Sequence, residues 1–271
     1  MEIIGEKINT TRKDVGKAVR ERDAVFIQEL ARNQAEGGAT FLDVNSGLAL
    51  YPEEEAEDFA WLVPLIQKVV DLPLCIDSGR SQPIEAALKL HRGKAMINSV
   101  NGEPAKMEEI FPLVKKYGCK VIALTSSREG GIPATSEERL KIAEAIATVA
   151  QKYGVLLEDI YFDPLVITLS TQHGNGTLFL ETLRGIKKNL GEAKTVSGLS
   201  SISFGLPKRR LLNQAFLLLA LGCGMDTAIL DPTDKALMAM IRAGEALMGK
   251  DPFCAQYIGA FREGREGRLD A

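Results

Sequence analysis

Short apolar runs alternate with longer stretches of helical periodicity along most of the chain. The runs at residues 2–5, 39–45, 73–77, 94–98, 120–125, 157–163, 194–199 and 225–230 are rich in Ile, Val, Leu and Phe and are bounded by polar or Gly-containing segments. That is the pattern of strands buried on both faces. Between them, residues 23–38, 54–70, 82–90, 104–118, 136–154, 178–191, 209–224 and 234–249 place apolar residues at 3.6-residue spacing, which predicts helices. Asp23 precedes the first of these stretches and Gly37-Gly38 follows it, a cap and a stop. Pro64 and Pro112 fall inside two helical stretches and predict kinks or early ends. Eight strands alternating with eight helices predict an α/β fold, a closed parallel (β/α)8 TIM barrel forming one domain over residues 1–260. A polar C-terminal tail is expected at 261–271. An open doubly wound sheet is the competing architecture, but it usually holds fewer strands.

Composition agrees with one large domain. The chain has 271 residues and is 45% hydrophobic, and such barrels run to about 250 residues. No apolar run reaches the ~18–20 residues that span a bilayer, and the opening MEIIGEKINTT lacks the basic and apolar regions of a secretory signal. A cytoplasmic protein without membrane attachment is the expectation. The net charge of −3 argues against a nucleic-acid binder, which would show a basic face. Cys75, Cys119, Cys223 and Cys254 form no CxxC pair and predict no disulfide framework. With only His91 and His173 available, no His-based zinc site is expected, and a Ser-His-Asp triad would have to use His173.

The informative chemistry lies where the apolar runs end. FLDVNS, LCIDS, AMINS, YFDPL and VSGLSS each finish on Asp, Asn or Ser. A buried polar group without a partner costs roughly 1–3 kcal/mol, so a series of such endings suggests a shared pocket. In a barrel, active sites form at the C-terminal ends of the strands, and Asp43, Asn45, Asp77, Asn98, Asp163 and Ser200 would converge on one mouth. The competing reading of each Asp is a cap for the following helix. Several acceptors and an amide around one opening suit a flat, nitrogen-rich heterocycle, because a carboxylate accepts paired N–H bonds from such an edge. In GLSSISFGLPKRR, Gly198 permits close approach, while Ser200, Ser201, Ser203 and Arg209 could hold a polar ring or an anionic tail. A solvated basic helix start is the alternative for Arg209. Glu6, Lys7 and Asn9 sit at the end of the first strand, as an ordinary rim ion pair or as support for a ligand or partner. His173 lies in a polar, Gly-rich loop after the sixth strand.

GEKIN (5–9), FLDVN (41–45), CIDS (75–78), AMINS (95–99), YFDPL (161–165) and GLSSISFGLP (198–207) together resemble the pterin-binding barrel family over nearly the whole chain. The EKIN opening and the length are most similar to its methyltetrahydrofolate:corrinoid protein methyltransferases. The resemblance implies that Asp77, Asn98 and Asp163 grip the pterin ring, that Gly198 and Ser200 line it, and that Arg209 lies beside the substrate. Ser201 departs from the pattern, since better-known members carry Asn there, reaching N5 of the pterin. The implied substrates are 5-methyltetrahydrofolate and a corrinoid (cobalamin). The DxHxxG signature of cobalamin modules is absent around His91 and His173, so the corrinoid is expected on a separate, transiently docking protein. A homodimer is also implied.

Methyl transfer from N5 requires a very poor leaving group to depart, so hydrogen bonding or proton donation toward N5 must grow as the bond breaks. The nucleophile, Co(I), belongs to the corrinoid. Two other readings compete. Dihydropteroate synthase would need an NVTPDSFSDGG-like loop after the first strand and an SRK-like triplet after the seventh, where this chain has INTTRKD and GLSSIS. A non-catalytic folate-binding subunit is favoured only by Ser201. Schiff-base chemistry is disfavoured because no Lys ends strands four to six.

Overall fold

The computed structural model describes residues 1–127, 130–262 and 264. Each apolar run becomes a strand: β1 (Glu2–Asn9), β2 (Phe41–Asn45), β3 (Leu74–Asp77), β4 (Met96–Val100), β5 (Lys120–Leu124), β6 (Ile160–Asp163), β7 (Lys194–Gly198) and β8 (Thr227–Leu230). All pairings are parallel, and β8 closes on β1 to form the expected barrel. The predicted helices surround it as α2 (Ala24–Glu36), α3 (Pro52–Gln67), α4 (Ser81–Leu90), α5 (Pro104–Tyr117), α6 (Ser136–Lys152), α7 (Asn175–Asn189), α8 (Arg209–Gly222) and α9 (Lys235–Leu247). Among the described residues no helix is long and apolar enough to cross a membrane.

Two helices were not expected. The first, α1 (Lys13–Glu21), lies between β1 and α2 and buries only Val15, Gly16, Ala18 and Val19. Its interior glycine hides the signal but has a reason: a Cβ at Gly16 would lie 2.5 Å from the Thr10 carbonyl oxygen. The second, α10 (Ala255–Arg262), follows α9 and takes in the first two residues of the expected tail; apart from Gly264, the rest of that tail lies outside the described residues.

The prolines do not end their helices. Pro64 lies in the last turn of α3, and α5 runs on past Pro112 to Tyr117. Both prolines are exposed, and so are Ala60 and Glu108, whose carbonyls lose their helical partner. Water can satisfy those carbonyls. Leu62, Val63 and Ile66 in α3, and Ile110, Phe111 and Val114 in α5, are buried and hold each helix to the barrel. The Asp23 cap is as expected, its side chain accepting from the Phe26 amide at 3.0 Å, with Gly37 and Gly38 ending α2.

Inside the barrel, Ile4, Phe41, Cys75, Met96, Ile122, Tyr161 and Val196 form a packed apolar plug. A polar network seals it at the N-terminal end. Tyr161 Oη donates to Glu2 Oε2 at 2.9 Å and accepts from Lys120 Nζ at 2.6 Å, while Lys194 Nζ and Thr227 Oγ1 donate to Glu2 at 3.0 and 3.1 Å. Burial favours a neutral Glu2, but Lys194, Lys120 and Tyr161 outweigh it and hold the carboxyl below its usual range. Tyr161→Phe removes one donor from Glu2 and one acceptor from Lys120, and is expected to cost about 1–3 kcal/mol. Urea denaturation checks this; a change near zero would mean that water replaces the hydroxyl without penalty.

Candidate functional site at the C-terminal mouth

The pairings place the polar strand endings in layers. Asn45 is the register partner of Asp77, and Asp77 of Asn98. Because strands in a closed barrel tilt, a plane across the barrel climbs about one residue per strand relative to the pairing, the shear of about eight such barrels require. Side chains in one layer therefore come from alternate strands. On the even strands that layer is Asp43, Asn98, Asp163 and Ile229, and the odd strands above it contribute Glu6, Asp77, Leu124 and Gly198. Both layers lie on the apolar plug, toward the C-terminal mouth. A Cβ at Gly198 would meet nothing within 4 Å, so the upper layer is open on that side.

None of the three strand-end aspartates caps a helix. The N-cap residues of α3, α4 and α7 are Tyr51, Arg80 and Gly174, with no side-chain cap bonds. The carboxylates engage one another's neighbours instead. Asn98 Nδ2 donates to Asp43 Oδ1 at 3.2 Å, and Asn45 Nδ2 donates to Asp77 Oδ2 at 3.0 Å. Asp163 Oδ1 accepts from the Ser197 hydroxyl at 2.7 Å and the Leu165 amide at 2.8 Å. Among the described residues, no hydrogen bond reaches Asp77 Oδ1, Asn98 Oδ1 or Asp163 Oδ2. The mouth thus presents acceptors, the arrangement that matches a ring edge carrying N–H donors.

Burial sets the acidity of these groups. It pushes Asp163 up to about 6, against the bonds from Ser197 and Leu165 and the Arg139 guanidinium. Asp77 is pushed to about 6 by burial, with Asn45 opposing and Glu55 adding to it. Asp43 is raised well above the usual carboxylate range by burial and then by the Asp77 charge, despite hydrogen bonds from Asn98 and Cys75. Glu6 is raised by burial and by Asp231, while Lys7 and Arg12 pull the other way.

The other candidates lie around the rim and in the loops. Arg209 donates from Nη2 to the Ser200 carbonyl at 2.9 Å and from Nε to Ser203 Oγ at 3.1 Å, so it pins the turn after β7. Ser200 and Ser201 are exposed on that turn. Lys7 pairs with Asp231 at 2.6 Å across the β1–β8 seam, and Asn9 Oδ1 accepts from Thr11 within a turn. His91 Nε2 accepts from the Leu74 amide at 2.9 Å, a structural contact, and His173 is exposed in the loop before α7.

Sequence reasoning overlooked Ser197 and Arg139. Ser197 lies inside the VSGLSS run, where Ser200 and Ser201 drew attention. Arg139 is 1% exposed and donates to the carbonyls of Pro133, Pro164 and Leu165 at 2.9, 2.6 and 2.9 Å. It thereby holds the backbone after Asp163, where Leu165 takes a left-handed φ of 65°. Its signal was present: Arg139 falls in step with the buried Ala143, Ile146 and Ala150 of α6.

A carboxyl whose folded pKa is raised favours folding while protonated, and that stability is lost as pH rises toward the folded pKa. With Asp163 near 6 and a free Asp near 3.9, the loss attributable to this one residue between pH 5 and pH 7 is about 1 kcal/mol. Urea unfolding of wild type and Asp163→Asn at both pH values isolates it. The wild type is expected to lose about 1 kcal/mol more than the variant on going from pH 5 to pH 7; equal losses would show that Asp163 is not perturbed.

Comparison with known proteins agrees with this architecture. The pterin binding enzyme family matches residues 5–231, from β1 through the end of β8. A methylcorrinoid:tetrahydrofolate methyltransferase of Eubacterium limosum is 39% identical over 273 residues, covering 100% of both chains. The methionine synthase of Mycobacterium tuberculosis is 30% identical over 240 residues, which are 84% of this chain and 20% of that protein. Among solved structures, a Xanthomonas albilineans dihydropteroate synthase, in complex with indole-2-carboxylic acid and 6-chloroguanine, superposes with a TM-score of 0.70 at 19% identity, covering 93% of this chain and 92% of that one. At that identity it shares the fold. The full-barrel family match and the end-to-end relative establish that the chain belongs to the pterin-binding enzymes.

Proposed function

We propose that this protein transfers a methyl group between N5 of 5-methyltetrahydrofolate and the cobalt of a corrinoid, the corrinoid being carried on a separate protein. The end-to-end identity of 39% to a methylcorrinoid:tetrahydrofolate methyltransferase carries this reading, and the row of free acceptors at the mouth supports it. Asp77, Asn98 and Asp163 hold the pterin through its N–H groups. When the methyl leaves N5, the C–N electron pair stays on nitrogen and takes a proton, while the cobalt electron pair forms the new bond to carbon. That proton comes from solvent at the open side of the mouth by Gly198, since the free oxygen of Asp163 is occupied by a ring N–H. Hydrogen bonding that strengthens only as N5 gains charge accelerates the reaction rather than merely tightening binding.

The partner must reach the mouth. Leu48, Leu50 and Tyr51 stand exposed in the β2–α3 loop, and Phe204 is exposed in the β7–α8 turn, all at the rim a docking protein would cover. A homodimer is part of the same reading: Leu211 and Leu219, two turns apart on α8, are 64% and 57% exposed.

Asn98→Ala and Asp163→Ala are each expected to weaken 5-methyltetrahydrofolate binding about tenfold or more, roughly 1.4 kcal/mol. Calorimetric titration measures it, and unchanged affinity in both variants would move the pocket elsewhere. Mixing the protein with 5-methyltetrahydrofolate and Co(I) cobalamin should yield the methyl-Co(III) spectrum. A protein that binds the folate yet forms none would be a binding subunit. Ser201→Asn should keep the affinity and alter the single-turnover rate; an unaltered rate would take Ser201 out of the mechanism.

A further inference from the structure

Asp43 differs from its neighbours in the mouth. It is 4% exposed, whereas Asn98 and Asp77 are only partly buried. Its carboxyl is already engaged, accepting from Asn98 Nδ2 at 3.2 Å and hydrogen-bonded to the Cys75 side chain. The groups facing it are Glu6 from β1, Cys75 and Asp77 from β3 and Asn98 from β4. None is a cation. Asn98, by contrast, has one half of its amide committed and the other half free.

An amide has two faces of opposite character, a donor NH2 and an acceptor oxygen. Whichever end is tied down inside the protein leaves the other for the ligand. We infer that Asp43 is a positioning residue, which holds Nδ2 of Asn98 and so presents Oδ1 to the pterin without touching the pterin itself. This rests on the folate reading above for its ligand, but not for its geometry. The hold survives protonation of Asp43, because a neutral carboxylic acid keeps an acceptor oxygen for Nδ2 while its proton sits on the other oxygen. Specificity follows. With Asn98 fixed this way, all three groups offer acceptors, so a ring that presents an acceptor at this edge leaves buried oxygens without donors and is rejected.

Two readouts test the inference. The first needs no ligand. The Asn98 side-chain amide is assigned by its disappearance in Asn98→Ala, and its hydrogen exchange is followed by NMR. Slow exchange is expected in wild type and in Asp43→Asn, which keeps an acceptor, and exchange at least tenfold faster in Asp43→Leu. Equal exchange in wild type and Asp43→Leu would overturn the hold. The second is a double-mutant cycle on tetrahydrofolate affinity. Asp43→Leu should weaken binding about tenfold, Asp43→Asn should restore it to within about threefold of wild type, and Asp43→Leu combined with Asn98→Ala should bind no worse than Asn98→Ala alone. Additive losses would show that Asp43 contacts the ligand directly and would defeat the positioning role. If Asp43→Leu does not fold, Asp43→Ala takes its place in both measurements. A wild type that binds no tetrahydrofolate would instead sink the folate reading, and the exchange measurement would still decide the hold.

Discussion

Closing eight parallel strands into a sheared barrel is the constraint from which the site follows. The shear makes side chains from alternate strands share a layer, so residues 43, 98 and 163, far apart in the chain, surround one opening. Asp43, Asn98 and Asp163 would be three unrelated polar strand ends in an open sheet. The apolar plug of Ile4, Cys75, Ile122 and Val196 with Phe41, Met96 and Tyr161 then gives those groups a dry floor. A dry floor raises carboxyl pKa values, because burial disfavours the charged form.

The two ends of the barrel treat carboxyl groups oppositely, and that asymmetry divides stability from function. At the N-terminal end, Glu2 meets Lys194, Lys120, Tyr161 and Thr227, and its charge is held. At the C-terminal end, Asp43, Asp77 and Asp163 are pushed upward, and Asp77 and Asp163 each keep a lone acceptor oxygen. A fold optimised only for stability would place cations among the upper groups. Lys7 lies beside Glu6 on β1 but is directed to Asp231, and Arg139 donates to backbone carbonyls beyond β6 rather than to the Asp163 carboxylate. The mouth is left short of donors, a deficit a ligand with several N–H groups can fill.

Much of this was legible in the sequence, for identifiable reasons. Strands buried on both faces leave continuous apolar runs, so all eight were visible, and the polar residues ending them marked the mouth. The strand-six ending, Asp163, is the clearest case, since Leu165 and Ser197 hold it rather than a helix end. What escaped lies in contacts that periodicity does not encode. The α1 helix is short and carries Gly16 for packing against Thr10. Whether Pro64 and Pro112 end their helices was not legible, because the cost of a helical proline depends on whether water reaches the freed carbonyl, and here the carbonyl-bearing residues are exposed. The grip of Arg209 on Ser200 and Ser203 was likewise not legible in the sequence, since it depends on how the turn after β7 folds back.

The departure at Ser201 sharpens the mechanistic question. A serine hydroxyl is shorter than an asparagine amide, and Ser201 stands exposed on a turn fixed by Arg209 through the Ser200 carbonyl and Ser203. On the proposed reading, fixing the turn without extending the side chain leaves hydrogen bonding at N5 to solvent at the open side of the mouth by Gly198. Asp163 keeps its place on the ring edge: one oxygen is held by Ser197 and the Leu165 amide and the other is free. A loop residue can therefore vary while the ring stays held, because Asp163 is anchored to the strand, and Arg139 fixes the backbone behind it.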